Sequence, residues 1–283
     1  VKTLTALQNV PTAYLDRYVA IRDKKKTATK TPLIVAHDVI TQCYEDYAQA
    51  IALGALAGLV GNVQAAQLSG PLRACYDSPT QPLRELKQAI HEAQPKRLLK
   101  YCPMCGTTLP RTFDHYMPAV KFPEFAVHPL NLVPCCATCN STKDADWLTP
   151  AGARQYLHAY SDQLPDLQFL SVQLHENAVL QGVGATFSMQ RPRAMPNALW
   201  PLIVSHFTRL NLIARYDERG NDEIAEILSV CRVHLDAGGP DARTFLQGLA
   251  EDRKAVFGRN HWIAVLMEAM AQHPNLINWV NAA

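Results

Sequence analysis

Apolar residues recur at helical spacing through most of this chain, and the period breaks in only two places. Between Asp38 and Leu53 the positions Val39, Cys43, Tyr47, Ala50 and Ile51 mark one face of a helix. Leu83, Leu86, Ala89 and Ile90 do the same from Leu83 to Ala93, and Pro95 ends that segment. The stretch from Ala48 to Val63 is the most apolar of all and is rich in Ala and Gly. It reads as a buried helix or helix pair, too short for the roughly 20 apolar residues of a membrane span. The basic, Thr-rich run from Arg22 to Lys30 reads as a solvated loop, with contact to a DNA backbone as its sharper alternative. In the last third the helical period predicts one helix from Leu202 to Tyr216 and a second that Asn221 caps and Gly238 stops. Two more follow, from Ala242 to Phe257 and from Asn260 to Gln272.

The first break, from Phe169 to Met189, has the alternation of half-buried strands through Val179, Val183, Ala185, Phe187 and Met189. His175-Glu176-Asn177 reads as its turn, and Pro192 and Pro196 mark a boundary. The second break, from about Lys100 to Pro150, has no helical period before Cys136 and concentrates Pro, Cys and aromatic residues. At 283 residues, 48% apolar and 18% charged, the chain suits two or three packed regions rather than disorder. A formal charge of +2 excludes a generally basic nucleic-acid binder, so any phosphate-binding surface must be local. Lys96, Arg97, Lys100, Arg111 and Lys121 are the candidates. With no apolar run at Val1-Lys2-Thr3-Leu4-Thr5, the expected location is the cytoplasm, without membrane contact.

Four of the eight cysteines form two Cys-x-x-Cys pairs, Cys102 with Cys105 and Cys136 with Cys139. That spacing suits a closed, tetrahedral, structural Zn²⁺ site. Cys135 competes with Cys136 for the third position, and the Cys-x-x-Cys spacing favours Cys136. Cys43, Cys75 and Cys231 read as buried thiols. A four-thiolate site has no open position, so chemistry must come from nearby oxygen and nitrogen donors. Asp114-His115 stands between the two pairs. An imidazole can activate water near neutral pH, and carboxylate or amide oxygens suit Mg²⁺ or Mn²⁺.

The run Phe113-Asp114-His115-Tyr116, Asn131-Leu132-Val133-Pro134, Cys136-Ala137-Thr138-Cys139-Asn140-Ser141-Thr142-Lys143 resembles the HNH nucleases of the His-Me finger superfamily, over Cys102 to Lys143. The resemblance implies a ββα-metal finger, with Asp114-His115 on the first strand, Leu132-Val133 on the second, and Asn140 to Lys143 on the helix. By similarity His115 is the general base, Asp114 and Asn140 are ligands of a catalytic Mg²⁺ or Mn²⁺, and Asn131 pins the loop and orients the base. Lys143 matches a frequent family lysine and is placed to contact phosphate. Many relatives continue with Gly-Asp after that lysine, whereas this chain has Asp144-Ala145-Asp146. His128, in the connecting loop, is a secondary candidate. The Arg215-Tyr216 helix end and Gly258-Arg259-Asn260-His261-Trp262 resemble the tail of HNH proteins of bacterial antiphage systems, which implies an ATPase or other defence protein as partner.

The expected fold is α+β and mostly helical, with the zinc-braced finger and a small β-hairpin after it. The expected organisation is an N-terminal helical region (1–98), the nuclease finger (99–150), and the hairpin with C-terminal helices (151–283). The activity that the resemblance implies is metal-dependent hydrolysis of DNA phosphodiester bonds, with double-stranded DNA as the partner. A non-catalytic zinc module binding nucleic acid or protein, and the same chemistry directed at RNA, are the alternatives.

Overall fold

The computed structural model describes residues 2–7, 11–177 and 182–282. It is mostly helical α+β, with two small antiparallel hairpins. The chain divides into two compact units, one formed by Thr3–Met104 and Thr108–Gln163, the other by Val1–Lys2, Cys105–Thr107 and Leu164–Ala283.

The first unit opens with six helices: α1 (Pro11–Asp23), α2 (Thr27–Val35), α3 (His37–Ala52), α4 (Val63–Gln67), α5 (Ser69–Asp77) and α6 (Gln81–Glu92). In α6 the residues Leu83, Leu86 and Ile90 are buried, as their spacing predicts. In α3 the buried face is Ile40, Cys43, Tyr44, Tyr47 and Ala50. The Ala- and Gly-rich stretch departs from expectation: α3 stops at Ala52, and Leu53, Val60 and Val63 are exposed. Gly54 at φ +64° turns the chain there, a conformation that glycine tolerates without a Cβ clash. The basic run from Arg22 to Lys30 is also not one loop, because α1 continues to Asp23 and α2 starts at Thr27.

Strands β1 (Thr112–His115) and β2 (Leu132–Cys135) then pair with Asp114 opposite Val133 and His115 opposite Leu132, and α7 (Ala137–Lys143) follows directly. This ββα order is the one that the family resemblance implies. The loop between its strands is largely interior, with Tyr116, Met117 and Phe122 to Asn131 buried. His128 is fully buried there, with ring centroids 4.5 Å from Tyr44, 4.5 Å from Tyr47 and 5.3 Å from Tyr14.

The second unit contains β3 (Leu170–Asn177), β4 (Gly182–Met189), α8 (Trp200–Arg209), α9 (Leu212–Asp236), α10 (Ala242–Phe257), α11 (Trp262–Gln272) and α12 (Leu276–Ala282). The residues His175 to Asn177 belong to β3 rather than to a turn, and Val179 lies outside the described residues. The helix break also moves. It falls at Leu210–Asn211, where Asn211 adopts φ +50°, so Tyr216 and Asn221 are both inside one 25-residue helix. Asn tolerates that left-handed conformation better than most residues. α9 packs on β4, and a Cβ on Gly220 would lie 3.2 Å from the Ala185 Cβ, so glycine permits this close approach. Asn260 does not cap a helix. Its side chain accepts from the Phe169 and Leu170 amides at 2.7 and 2.9 Å and donates to the Leu167 carbonyl at 2.8 Å, fixing the entry to β3.

Burial pushes the imidazoles of His128 and His158 down, to about 3 and about 4. His128 faces Tyr14, Tyr44, Tyr47 and Phe125, with the charge of a protonated His158 also opposing its protonation, while Asp162, Arg154, Tyr47 and Tyr116 surround His158. Both rings are neutral in the fold and take up protons near pH 6.5 once unfolded. Their contribution is therefore intact above pH 6.5 and declines as pH falls toward 4, by up to about 1.4 kcal/mol per unit per ring. The raised carboxyls of Asp114 and Glu124 act in the opposite direction. Comparison with His128→Phe isolates the ring: its thermal midpoint should decline less steeply between pH 6.5 and 4.5 than that of the parent. Parallel declines would exclude this contribution.

Candidate functional site

The knuckle Cys102 to Cys105 and the start of α7 bring four sulfurs together. The Sγ atoms of Cys102, Cys105, Cys136 and Cys139 lie within 4.8 Å of one another, and all four residues are buried. Tetrahedral zinc with bonds of about 2.3 Å places its sulfurs about 3.8 Å apart, so the cluster suits that ion. The surroundings suit thiolates: the Cys136 amide points to Cys102 Sγ at 3.3 Å, the Cys139 amide to Cys136 Sγ at 3.4 Å, and Thr107 Oγ1 lies 3.1 Å from Cys105 Sγ. Cys135 is not in the cluster. It ends β2 opposite Thr112, whose hydroxyl is 3.4 Å from its sulfur, and burial pushes its thiol up to about 12.

Gly106, at φ +70°, lets the chain turn back after Cys105. The backbone of this turn is held from the second unit, to which Cys105–Thr107 belong. Tyr216 donates to the Cys105 carbonyl at 2.9 Å, Trp262 to the Gly106 carbonyl at 3.0 Å, and Arg215 to the Thr107 hydroxyl at 2.9 Å. The Arg-Tyr step and the Trp262 motif singled out in the sequence thus act on the knuckle.

Beside the finger is a cleft of about 440 Å³ lined by Asp114, His115 and Asn140, with Thr112, Ser141 and Asp144. Its opposite wall comes from α5, through Arg73, Tyr76 and Asp77, which the sequence pattern did not single out. The helical period places these three on one face, beside the buried Leu72. The Tyr76 ring meets the His115 ring edge-on at 4.4 Å. His115 Nε2 lies 2.8 Å from the Ala126 carbonyl. A carbonyl only accepts, so Nε2 carries the proton and Nδ1 keeps the lone pair. Burial, and then the positive charge of Lys143, push the imidazole down to about 4 against the pull of that carbonyl, so it is neutral at pH 7.

Asn131 is fully buried and does not line the cleft. Its oxygen accepts from the Met117 amide at 2.7 Å, and its nitrogen donates to the Met117 and Phe125 carbonyls at 3.0 Å each. These bonds fix the two ends of the loop that carries Ala126. His128 is enclosed by aromatic rings and does not line the cleft, so it takes no part there.

Lys143 corrects an expectation. It is wholly buried rather than exposed to phosphate. Its ammonium lies 3.1 Å from both Asp114 carboxylate oxygens and donates to the His115 carbonyl at 2.8 Å. Burial pushes the Asp114 carboxyl above its ordinary range, and Lys143 pulls it back. The basic candidates Lys96, Arg97, Lys100, Arg111 and Lys121 are exposed, but none lines the cleft.

Asp144, just after α7, adopts φ +44° and ψ −127°. Glycine enters that region freely and other residues do so under strain. The Gly that many relatives of the resembled family carry after the lysine would relieve it. Asp144→Gly should therefore raise stability by about 1 kcal/mol, read as a higher midpoint in chemical denaturation. An unchanged or lower midpoint would contradict the strain. A second expectation concerns zinc. Cys135→Ser should retain the bound zinc of the parent protein and Cys136→Ser should lose it, by elemental analysis after dialysis. Equal zinc in the two variants would remove Cys136 from the cluster.

The chain is similar to the protein ea31 of Escherichia phage lambda, at 29% identity over 130 residues. The match covers 45% of this chain and 43% of that protein, so it spans less than half of either. No protein-family model matches the chain. No solved structure matches it. No helix among the described residues is long and apolar enough to cross a membrane.

Proposed function

We propose that this protein is a metal-dependent HNH-type endonuclease that hydrolyses DNA phosphodiester bonds in the cleft between β1, α7 and α5. The observation that carries the reading is the convergence of His115, Asp114 and Asn140 on one cleft, with His115 Nε2 tied to a carbonyl. In this reading His115 Nδ1 takes a proton from water, the water oxygen attacks phosphorus, and a bridging P–O bond breaks. The departing oxygen is protonated from solvent.

The oxygen donors of Asp114 and Asn140 fit Mg²⁺ or Mn²⁺. The Lys143 contact leaves each Asp114 oxygen a further lone pair. A bound divalent ion supplies Lewis acidity and charge neutralisation at the phosphate. Asn131 and Lys143 touch neither water nor substrate in this scheme. They position His115 and Asp114 from inside the fold. The four cysteines take a structural Zn²⁺, which stabilises the finger and does no chemistry.

The antiphage role and the ATPase partner remain a proposal from the resemblance of the C-terminal tail. The similar lambda protein is phage-encoded and adds no support for that part. A non-catalytic zinc module is less favoured, because it has no use for a neutral, hydrogen-bonded imidazole beside two oxygen donors.

Purified protein should nick or cleave plasmid DNA with Mg²⁺ or Mn²⁺ and not with EDTA. His115→Ala should lower the rate on the order of 10²- to 10⁴-fold while keeping the zinc content and melting temperature of the parent. Cleavage of RNA but not DNA under the same conditions would redirect the reading to the RNA substrate. Undiminished cleavage by His115→Ala would end the role assigned to that residue.

A further inference from the structure

Building on that reading, we propose that Arg73 of α5 is the phosphate-binding cation of the cleft, the role that Lys143 cannot fill. The substrate group it takes is a non-bridging phosphate oxygen of the DNA backbone.

Three observations support this assignment. Arg73 is the one Lys or Arg among the residues lining the cleft, which also holds the carboxylates of Asp77, Asp114 and Asp144. Its side chain is exposed, and no hydrogen bond or ion pair engages it among the described residues, so the guanidinium is available to a ligand. Its position is also set. Buried Leu72 and Cys75 anchor α5, and Arg73 stands one helical turn before Tyr76, whose ring meets His115 at 4.4 Å. The wall that supports the imidazole therefore also carries the guanidinium.

The chemistry suits the position. A guanidinium offers a planar fork of donors that matches two phosphate oxygens, and it stays charged at any working pH. Lys143 is consumed inside the fold by Asp114 and the His115 carbonyl. A phosphate contact positions the backbone and carries no base information, so the contact should be indifferent to sequence.

The test uses full-length protein carrying His115→Ala, which keeps the substrate intact, and a fluorescein-labelled DNA duplex in Mg²⁺ buffer at several salt concentrations. Arg73→Ala on this background should weaken binding about tenfold and lower the salt slope by about one. A duplex of unrelated sequence should lose the same factor. Arg73→Lys should restore most of the salt slope, and Arg73→Glu should weaken binding further than Arg73→Ala. Equal melting temperatures confirm that the fold is kept.

Unchanged affinity and salt slope in Arg73→Ala would overturn the assignment, as would a loss confined to one sequence. Wild-type protein that binds neither duplex would overturn it too. The hydrolytic reading fails separately. If the parent cleaves no DNA with any metal while Arg73→Ala still loses affinity, the catalytic reading falls and the Arg73 contact stands. If the parent cleaves, His115→Ala does not, and Arg73→Ala binds normally, the opposite holds.

Discussion

The buried carboxamide of Asn131 is the constraint on which the geometry of the cleft rests. β1 and β2 are four residues each and are joined by a loop of sixteen, Tyr116 to Asn131. So short a ladder cannot hold so long a connection by itself. Asn131 sits at the end of the loop and bonds to Met117 near its start and to Phe125 near its middle. Met117 is two residues from His115, and Phe125 precedes the Ala126 whose carbonyl holds the imidazole. Leaving such buried groups unpaired costs about 1–3 kcal/mol each. One amide therefore sets both the backbone that carries the imidazole and the carbonyl that fixes its tautomer.

Charge is divided between the interior and the cleft. Lys143 and Asp114 form an ion pair with almost no solvent exposure, and the ammonium's third contact is a backbone carbonyl. A buried pair of this kind contributes little net stability, and its value lies in fixing an arrangement. Here it orients the Asp114 carboxylate and secures the end of β1 to α7. The same burial that makes Lys143 useful to the fold removes it from the surface.

The finger was legible through its family resemblance, carried by short local patterns: the two Cys-x-x-Cys pairs, the Asp-His step and the Asn before β2. The groups that Asn131 reaches, Met117 and Phe125, lie fourteen and six residues away and needed the fold to be seen. The amphipathic helices were legible where one face is buried, as in α6. What the sequence hid was tertiary. The α5 wall has no motif, because Arg73, Tyr76 and Asp77 acquire meaning only where the helix packs against β1. The burial of Lys143 was hidden for the same reason, since a lysine at the end of a short helix reads as exposed. The break between α8 and α9 was misplaced because Asn221 has a good capping residue's chemistry, while the actual break uses Asn211 in a left-handed conformation.

The clasp on the knuckle has an optical consequence. The Trp262 indole donates to the Gly106 carbonyl and stacks on Tyr216, ring centroids 5.6 Å apart and nearly parallel. Tyr216 in turn holds the Cys105 carbonyl. Indole emission responds to the polarity and hydrogen bonding around the ring, so this tryptophan is an intrinsic fluorophore wired to the backbone of Cys105 in the four-cysteine cluster. An ion entering or leaving that cluster would register in its spectrum without any label.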